Sequence, residues 1–198
     1  MRSHEPGHAL LPIARAAIAN ALGHDLKVDD NAAWLHEHGA CFVTLTQAGE
    51  LRGCIGSLEA RRPLIADVKA NAVAAAFHDP RFAPVCSHEL DHIKVEVSLL
   101  SPMQALSFSG EADALAQLRP GIDGVVFEFE RHRSTFLPQV WDQLPNARDF
   151  LEHLKRKAGL PSSFWSTEVR LHRYTVGKWR EADLPNQPNT PSAAMRAS

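Results

Sequence analysis

Two runs that read as tight β-hairpins, with an alanine-rich helix and an alternating strand between them, constrain this chain more than any other feature. In ACFVTLTQAGELRGCIG, residues 40–56, two β-rich segments flank QAGE, where Gly49 suits the positive φ of a short turn. GIDGVVFEFERHRSTFLP, residues 121–138, repeats the pattern around ERHRS. Between them, PLIADVKANAVAAAFH, residues 63–78, reads as a helix: Pro63 suits its first turn, and Pro80 disfavours helical geometry at Asp79. Its many alanines predict close approach on more than one side. IKVEVSLL, residues 93–100, alternates Ile93, Val95, Val97 and Leu99 with Lys94, Glu96 and Ser98, the pattern of a half-buried strand.

Further helices are predicted over 8–23, over 111–118, and from an Asn146 cap to Gly159, and a last strand over 168–179. Hairpins and helices in mixed order favour α+β with a mostly antiparallel sheet flanked by helices over a doubly wound fold. At 198 residues, 44% hydrophobic and 22% charged, the chain is long enough for one large domain or two small lobes. The tail from Leu184 has little to bury and is expected to be disordered.

Several function classes recede on composition. A formal charge of -2 gives no overall reason to expect nucleic acid or an anionic membrane as partner. No apolar run approaches the ~20 residues that span a bilayer, and the N-terminus lacks an export-signal pattern, so a cytoplasmic protein is expected. Cys41, Cys54 and Cys86 are too widely spaced for a metal knuckle or a disulfide framework and read as free thiols. Neither GxGxxG nor GxxxxGK[ST] is present. HELDH, residues 88–92, is a near miss to a zinc motif, short and without an obvious third ligand. No metal or cofactor is expected, and nothing in the sequence sets an oligomeric state.

The stretch LRGCIG, residues 51–56, holds the most suggestive chemistry. If it is regularly extended, Leu51 and Ile55 enter the core while Arg52 and Cys54 share the other face, where a guanidinium beside a thiol favours the reactive thiolate. The glycines suggest a bulge, a bend or a close approach by another group. Packing explains the same residues: Cys54 as a small buried side chain, Arg52 as a structural ion pair. HDPRF adds Asp79 and Arg81 as ligand contacts or a turn-holding pair, with His78 a weaker signal. Asn71 puts an amide on a buried helix stripe, where backbone partners or a ligand must satisfy it. Glu96 and Ser98 on the strand's polar face, and Thr135 and Gln139 in STFLPQVW, are further candidates.

LRGCIGS, NAVAAAFHDPRF, EVSLLSP, STFLPQVW and FLEHLKRKAGL, in that order, resemble the AMMECR domain family, called AmmeMemoRadiSam system protein A in bacteria. The resemblance spans about residues 8–182, with Ser57 in place of a more usual threonine and Trp179 in place of phenylalanine. It implies a two-lobed α+β domain with a cleft near the RGC strand, and association with a Memo-like protein and a radical S-adenosylmethionine protein. Asp79, Arg81, Glu96 and Ser98 match its signature. It carries no established reaction.

The expectations divide accordingly. In a cleft enzyme, Cys54 is nucleophile or covalent carrier, Arg52 activates it, and Glu96 or His78 is the base; Asn71, Asp79, Arg81, Ser98 and Thr135 bind substrate. The alternative is a non-catalytic adaptor whose cleft holds a small molecule or partner segment, recognised by Arg52, Asp79, Arg81 and Glu96. A metal-dependent enzyme using Cys54 and histidines is a third reading.

Overall fold

The two hairpins seed two separate antiparallel sheets of four strands, each covered by helices on one face, an α+β architecture. The computed structural model describes residues 6–183; the tail from Leu184 lies outside the described residues. In chain order come α1 (Gly7–Ala21), β1 (His38–Gly39), β2 (Cys41–Gln47), β3 (Glu50–Gly56), β4 (Arg62–Pro63), α2 (Leu64–Phe77) and β5 (Ile93–Leu100). There follow β6 (Gln104–Ala105), α3 (Glu111–Gln117), β7 (Gly124–Phe129), β8 (His132–Phe136), α4 (Ala147–Lys157), β9 (Arg170–Tyr174) and β10 (Val176–Arg180).

The first sheet runs β10-β5-β2-β3. The β2–β3 turn places Ala48 and Gly49 at φ 51° and 86°, the paired positive values that match the twist of a two-residue hairpin. Val43, Leu45, Val95 and Val97 are buried on the face covered by α1 and α2. The alanines of α2 let it lie between α1 on one side and β2 and β3 on the other, as their density predicts. The second sheet runs β6-β9-β7-β8, and its covered face packs Phe127 and Leu171 against Phe150 and Leu154 of α4. Asn146 caps α4 by accepting the backbone N–H of Arg148 at 2.9 Å.

The single strand expected over 168–179 is corrected: it is two strands in different sheets. β9 belongs to the second sheet and β10 to the edge of the first, and the chain crosses between lobes at Thr175. Thr175 N–H donates to Ser101 Oγ at 2.9 Å and Ser101 N–H donates to the Thr175 carbonyl at 2.9 Å, tying this crossing to the one that leaves β5. Alternation reports which face a residue takes but not which neighbour the strand pairs with. A small cluster of Ala40, Leu100, Val126 and Tyr174 fills the space between the lobes.

Candidate functional site

The face of the first sheet turned away from its helices carries two transverse rows of side chains. Arg180, Glu96, Thr44 and Cys54 lie opposite one another across the four strands, and Lys178, Ser98, Phe42 and Gly56 form the next row. The second lobe covers these rows with Leu137, Pro138 and Gln139, enclosing about 500 Å³. That volume suits a small molecule or a short segment of chain. Phe42, Leu51, Leu137 and Val176 give it apolar walls, and Cys54, Arg81, Glu96, Ser98 and Lys178 supply polar groups. A Cβ at Gly56 would fall 2.2 Å from the Phe42 ring, so this glycine accommodates the protein's own aromatic wall.

The expectation that Arg52 and Cys54 share a face is corrected by a β-bulge. Gly53 pairs with Leu45 and Leu51 with Thr46, so Arg52 is an extra residue in β3 and the alternation reverses there. Leu51 therefore joins Cys54 on the cavity side instead of entering the core, and is 42% exposed. Arg52 turns toward the loop after α2, donating to Glu89 through Nε and Nη2 at 2.9 and 3.1 Å and to the Ala83 carbonyl at 2.9 Å. Glu89 of HELDH is thus the structural partner of Arg52, and it also accepts the Cys86 N–H at 2.9 Å. Arg52, expected to activate Cys54, does not line the cavity that Cys54 faces.

Asp79 and Arg81 take hold of Cys54 instead. β3 is a sheet edge, and the outward N–H of Cys54 donates to Asp79 Oδ2 at 2.9 Å, while Arg81 Nη2 donates to the Cys54 carbonyl at 3.3 Å. Asp79 is itself buried and accepts from Arg81 Nε at 2.9 Å and Nη2 at 2.6 Å. The pair pins the Cys54 peptide where a further strand would otherwise be needed. Half-buried, Cys54 presents its Sγ to the cavity, and Thr44 Oγ1 donates to it at 3.3 Å.

The Arg81 guanidinium, and then the N–H groups of Cys54 and Arg81, hold the Asp79 carboxyl well below its ordinary value of 3.8. A depressed folded value adds stability that is complete above the unfolded value and is lost as pH falls toward the folded one. The wild-type chain is therefore expected to lose stability below about pH 4 more steeply than Asp79→Asn, measured by urea unfolding across that range. Parallel pH profiles for the two proteins would contradict this role.

Glu96, expected to be the base, lines the cavity. It pairs with Arg180 and, at 3.4 Å, with Lys178 Nζ. With strands ~4.8 Å apart, its backbone is about 10 Å from that of Cys54, with Thr44 between them. Ser98, largely buried, forms part of the cavity wall. Asn71 lies on the opposite, helix-covered side of the sheet. Its Nδ2 donates to the Cys41 carbonyl at 3.0 Å, Asp67 Oδ2 at 2.9 Å and Ser57 Oγ at 3.2 Å, so its partners are Cys41, Ser57 and Asp67. Thr135 is outside the cavity as well: its hydroxyl meets the Tyr174 hydroxyl at 3.1 Å between the lobes. Asn71 and Thr135, expected to bind substrate, thus bond to the chain's own groups and lie outside the cavity lining.

Sequence reasoning missed Thr44, Asp142 and Lys178. Strand parity in VGKWR puts Lys178 on the same face as Val176, a signal that opens only once β10 is assigned to the first sheet. Asp67 was also missed, although it is buried and accepts from Cys41 N–H, Ser57 Oγ, Arg62 Nε and Asn71 Nδ2. Burial, and then Asp67, push the Cys41 thiol far above the ordinary range and leave it inert. Among the described residues no group of three or more His, Cys, Asp or Glu side chains is placed to hold a metal ion, and no helix is long and apolar enough to cross a membrane.

The AMMECR1 family model matches residues 11–179. A protein of Methanothermobacter thermautotrophicus is 40% identical over 188 residues, covering 90% of this chain and 96% of its own. A Methanocaldococcus jannaschii protein is 36% identical over 188 residues, covering 90% and 92%. Among solved structures, an uncharacterised protein of Pyrococcus horikoshii superposes with a TM-score of 0.72 at 31% identity, covering 88% of this chain and 91% of its own.

Proposed function

Since the chain belongs to the AMMECR1 family, we propose that the cavity between its lobes is an active site in which Cys54 is nucleophile or covalent carrier for a small bound molecule. One observation carries this reading: Cys54 Sγ faces a cavity of about 500 Å³, oriented by Thr44 and with its peptide gripped on both sides by Asp79 and Arg81. A partly exposed thiol that faces a cavity is open to a bound electrophile. In the step, the bond from Sγ to an electrophilic carbon forms as the bond to its leaving group breaks. The leaving group departs with its electron pair, and the thiol proton ends on it. Arg81 and Lys178 bind, Asp79 positions, and Phe42 and Leu137 exclude water.

Iodoacetamide labelling at pH 7 tests this, with the exposed Cys86 as reference in the same chain. Cys54 is expected to react several-fold faster than Cys86, and Cys54→Ser to lose that fast phase. Labelling of Cys54 no faster than Cys86 would count against a covalent role.

An adaptor reading is favoured by a different observation. Among the described residues no histidine lines the cavity, and Glu96 is already held by Lys178 and Arg180, which leaves Asp142 of the second lobe as the unpaired carboxylate of the lining. The exposed Leu51 at the rim suits an apolar side chain of a partner segment. Slow labelling of Cys54 would favour this reading. In both, the protein works in the cytoplasm with the Memo-like and radical S-adenosylmethionine partners that the resemblance implies.

A further inference from the structure

We propose that Arg81 is an anion receptor beside Cys54, so that the molecule the cavity takes carries a carboxylate or phosphate oxygen; this rests on the cavity being the site in which Cys54 reacts. Arg81 lines the cavity, and Asp79 holds one edge of its guanidinium through Nε and Nη2. The second Nη2 contact is the 3.3 Å bond to the Cys54 carbonyl. Nη1 has no hydrogen-bond partner among the described residues. Burial fixes Asp79, so the free end of the guanidinium is a donor set in place before a ligand arrives.

The surrounding charges admit an anion at that point. Asp79 is covered by Arg81, and Glu96 by Lys178 and Arg180. The remaining carboxylate of the lining, Asp142, comes from the second lobe and has no ion pair among the described residues. It opposes a second anionic group and favours an N–H donor or cation elsewhere on the ligand. The class of molecule is therefore small, with an anionic group placed near the carbon that Cys54 attacks.

Iodoacetate and iodoacetamide test this as a matched pair, since Sγ displaces iodide from both and the two differ in charge. The ratio of iodoacetate to iodoacetamide rate constants is expected to be about tenfold higher at Cys54 than at Cys86, the worth of one charge-assisted hydrogen bond. Arg81→Gln is expected to bring the Cys54 ratio down to that of Cys86. Because Arg81 also grips β3, a wild-type arm stands beside the variant: acetate and inorganic phosphate, each compared with chloride at equal ionic strength, compete with iodoacetamide. Selective slowing at Cys54 by acetate or by phosphate supports the proposal and says which anion the site prefers. Equal ratios at Cys54 and Cys86, or slowing no greater than chloride produces, would overturn the anion assignment while leaving Cys54 reactive. Failure of both reagents to label Cys54 faster than Cys86 would instead overturn the underlying reading and this proposal with it.

Discussion

Replacing Gly53 with alanine is expected to destabilise the chain by about 3 kcal/mol, among the largest effects of any single methyl group added to it. A Cβ there would lie 2.1 Å from the carbonyl oxygen of Ala75 in α2, a backbone atom that cannot rotate away. Relief requires α2 to lift from β3, which opens the contact that the alanines of α2 exist to make. In a chain of this length such a loss lowers Tm by roughly 6–12 °C. Gly49→Ala is the control: its left-handed φ of 86° costs about 1 kcal/mol, and nothing lies within 4 Å of the added carbon. Thermal unfolding of the two variants decides the matter, and a Gly53→Ala protein no less stable than Gly49→Ala would refute the close approach.

Asp67→Asn is expected to cost about 3 kcal/mol in urea unfolding at neutral pH, although it changes shape hardly at all. Each of the four contacts to the carboxylate is a donor: Cys41 N–H at 2.9 Å, Ser57 Oγ at 2.7 Å, Arg62 Nε at 2.8 Å and Asn71 Nδ2 at 2.9 Å. An amide nitrogen in place of one oxygen sets donor against donor at 1% exposure. Arg62→Gln removes the partly exposed member of the same network and should cost about 1 kcal/mol or less. If Asp67→Asn cost no more than Arg62→Gln, the network would be ornamental to stability.

Much of the fold was legible because its signals are local. The β2–β3 and β7–β8 turns, the Asn146 cap and the stop of α2 before Pro80 all rest on residues within a few positions of each other. What was not legible depends on partners distant in sequence. The bulge at Arg52 is set by how β3 meets β2, and one inserted residue exchanged Leu51 for Arg52 on the cavity face. The crossing at Thr175 is set by pairing with Ser101, seventy-four positions away. Asp67 lies in the first turn of α2, and its burial appears only when β2 and the segment around Ser57 fold over it. The glycines of LRGCIG did signal close approach, but what approaches is Ala75 and Phe42, not a substrate. Asp79 and Arg81 were visible as a pair, while their grip on Cys54 needed the sheet edge to be known.

On the proposed reading the cavity beside Cys54 receives a small molecule. The most direct test is the crystal structure of the chain purified from its own host without denaturation. Density is expected for a bound group between Cys54 Sγ and Leu137–Gln139, with an anionic end at Arg81 Nη1. Cavity density explained by water alone, beside an unmodified Cys54, would contradict it.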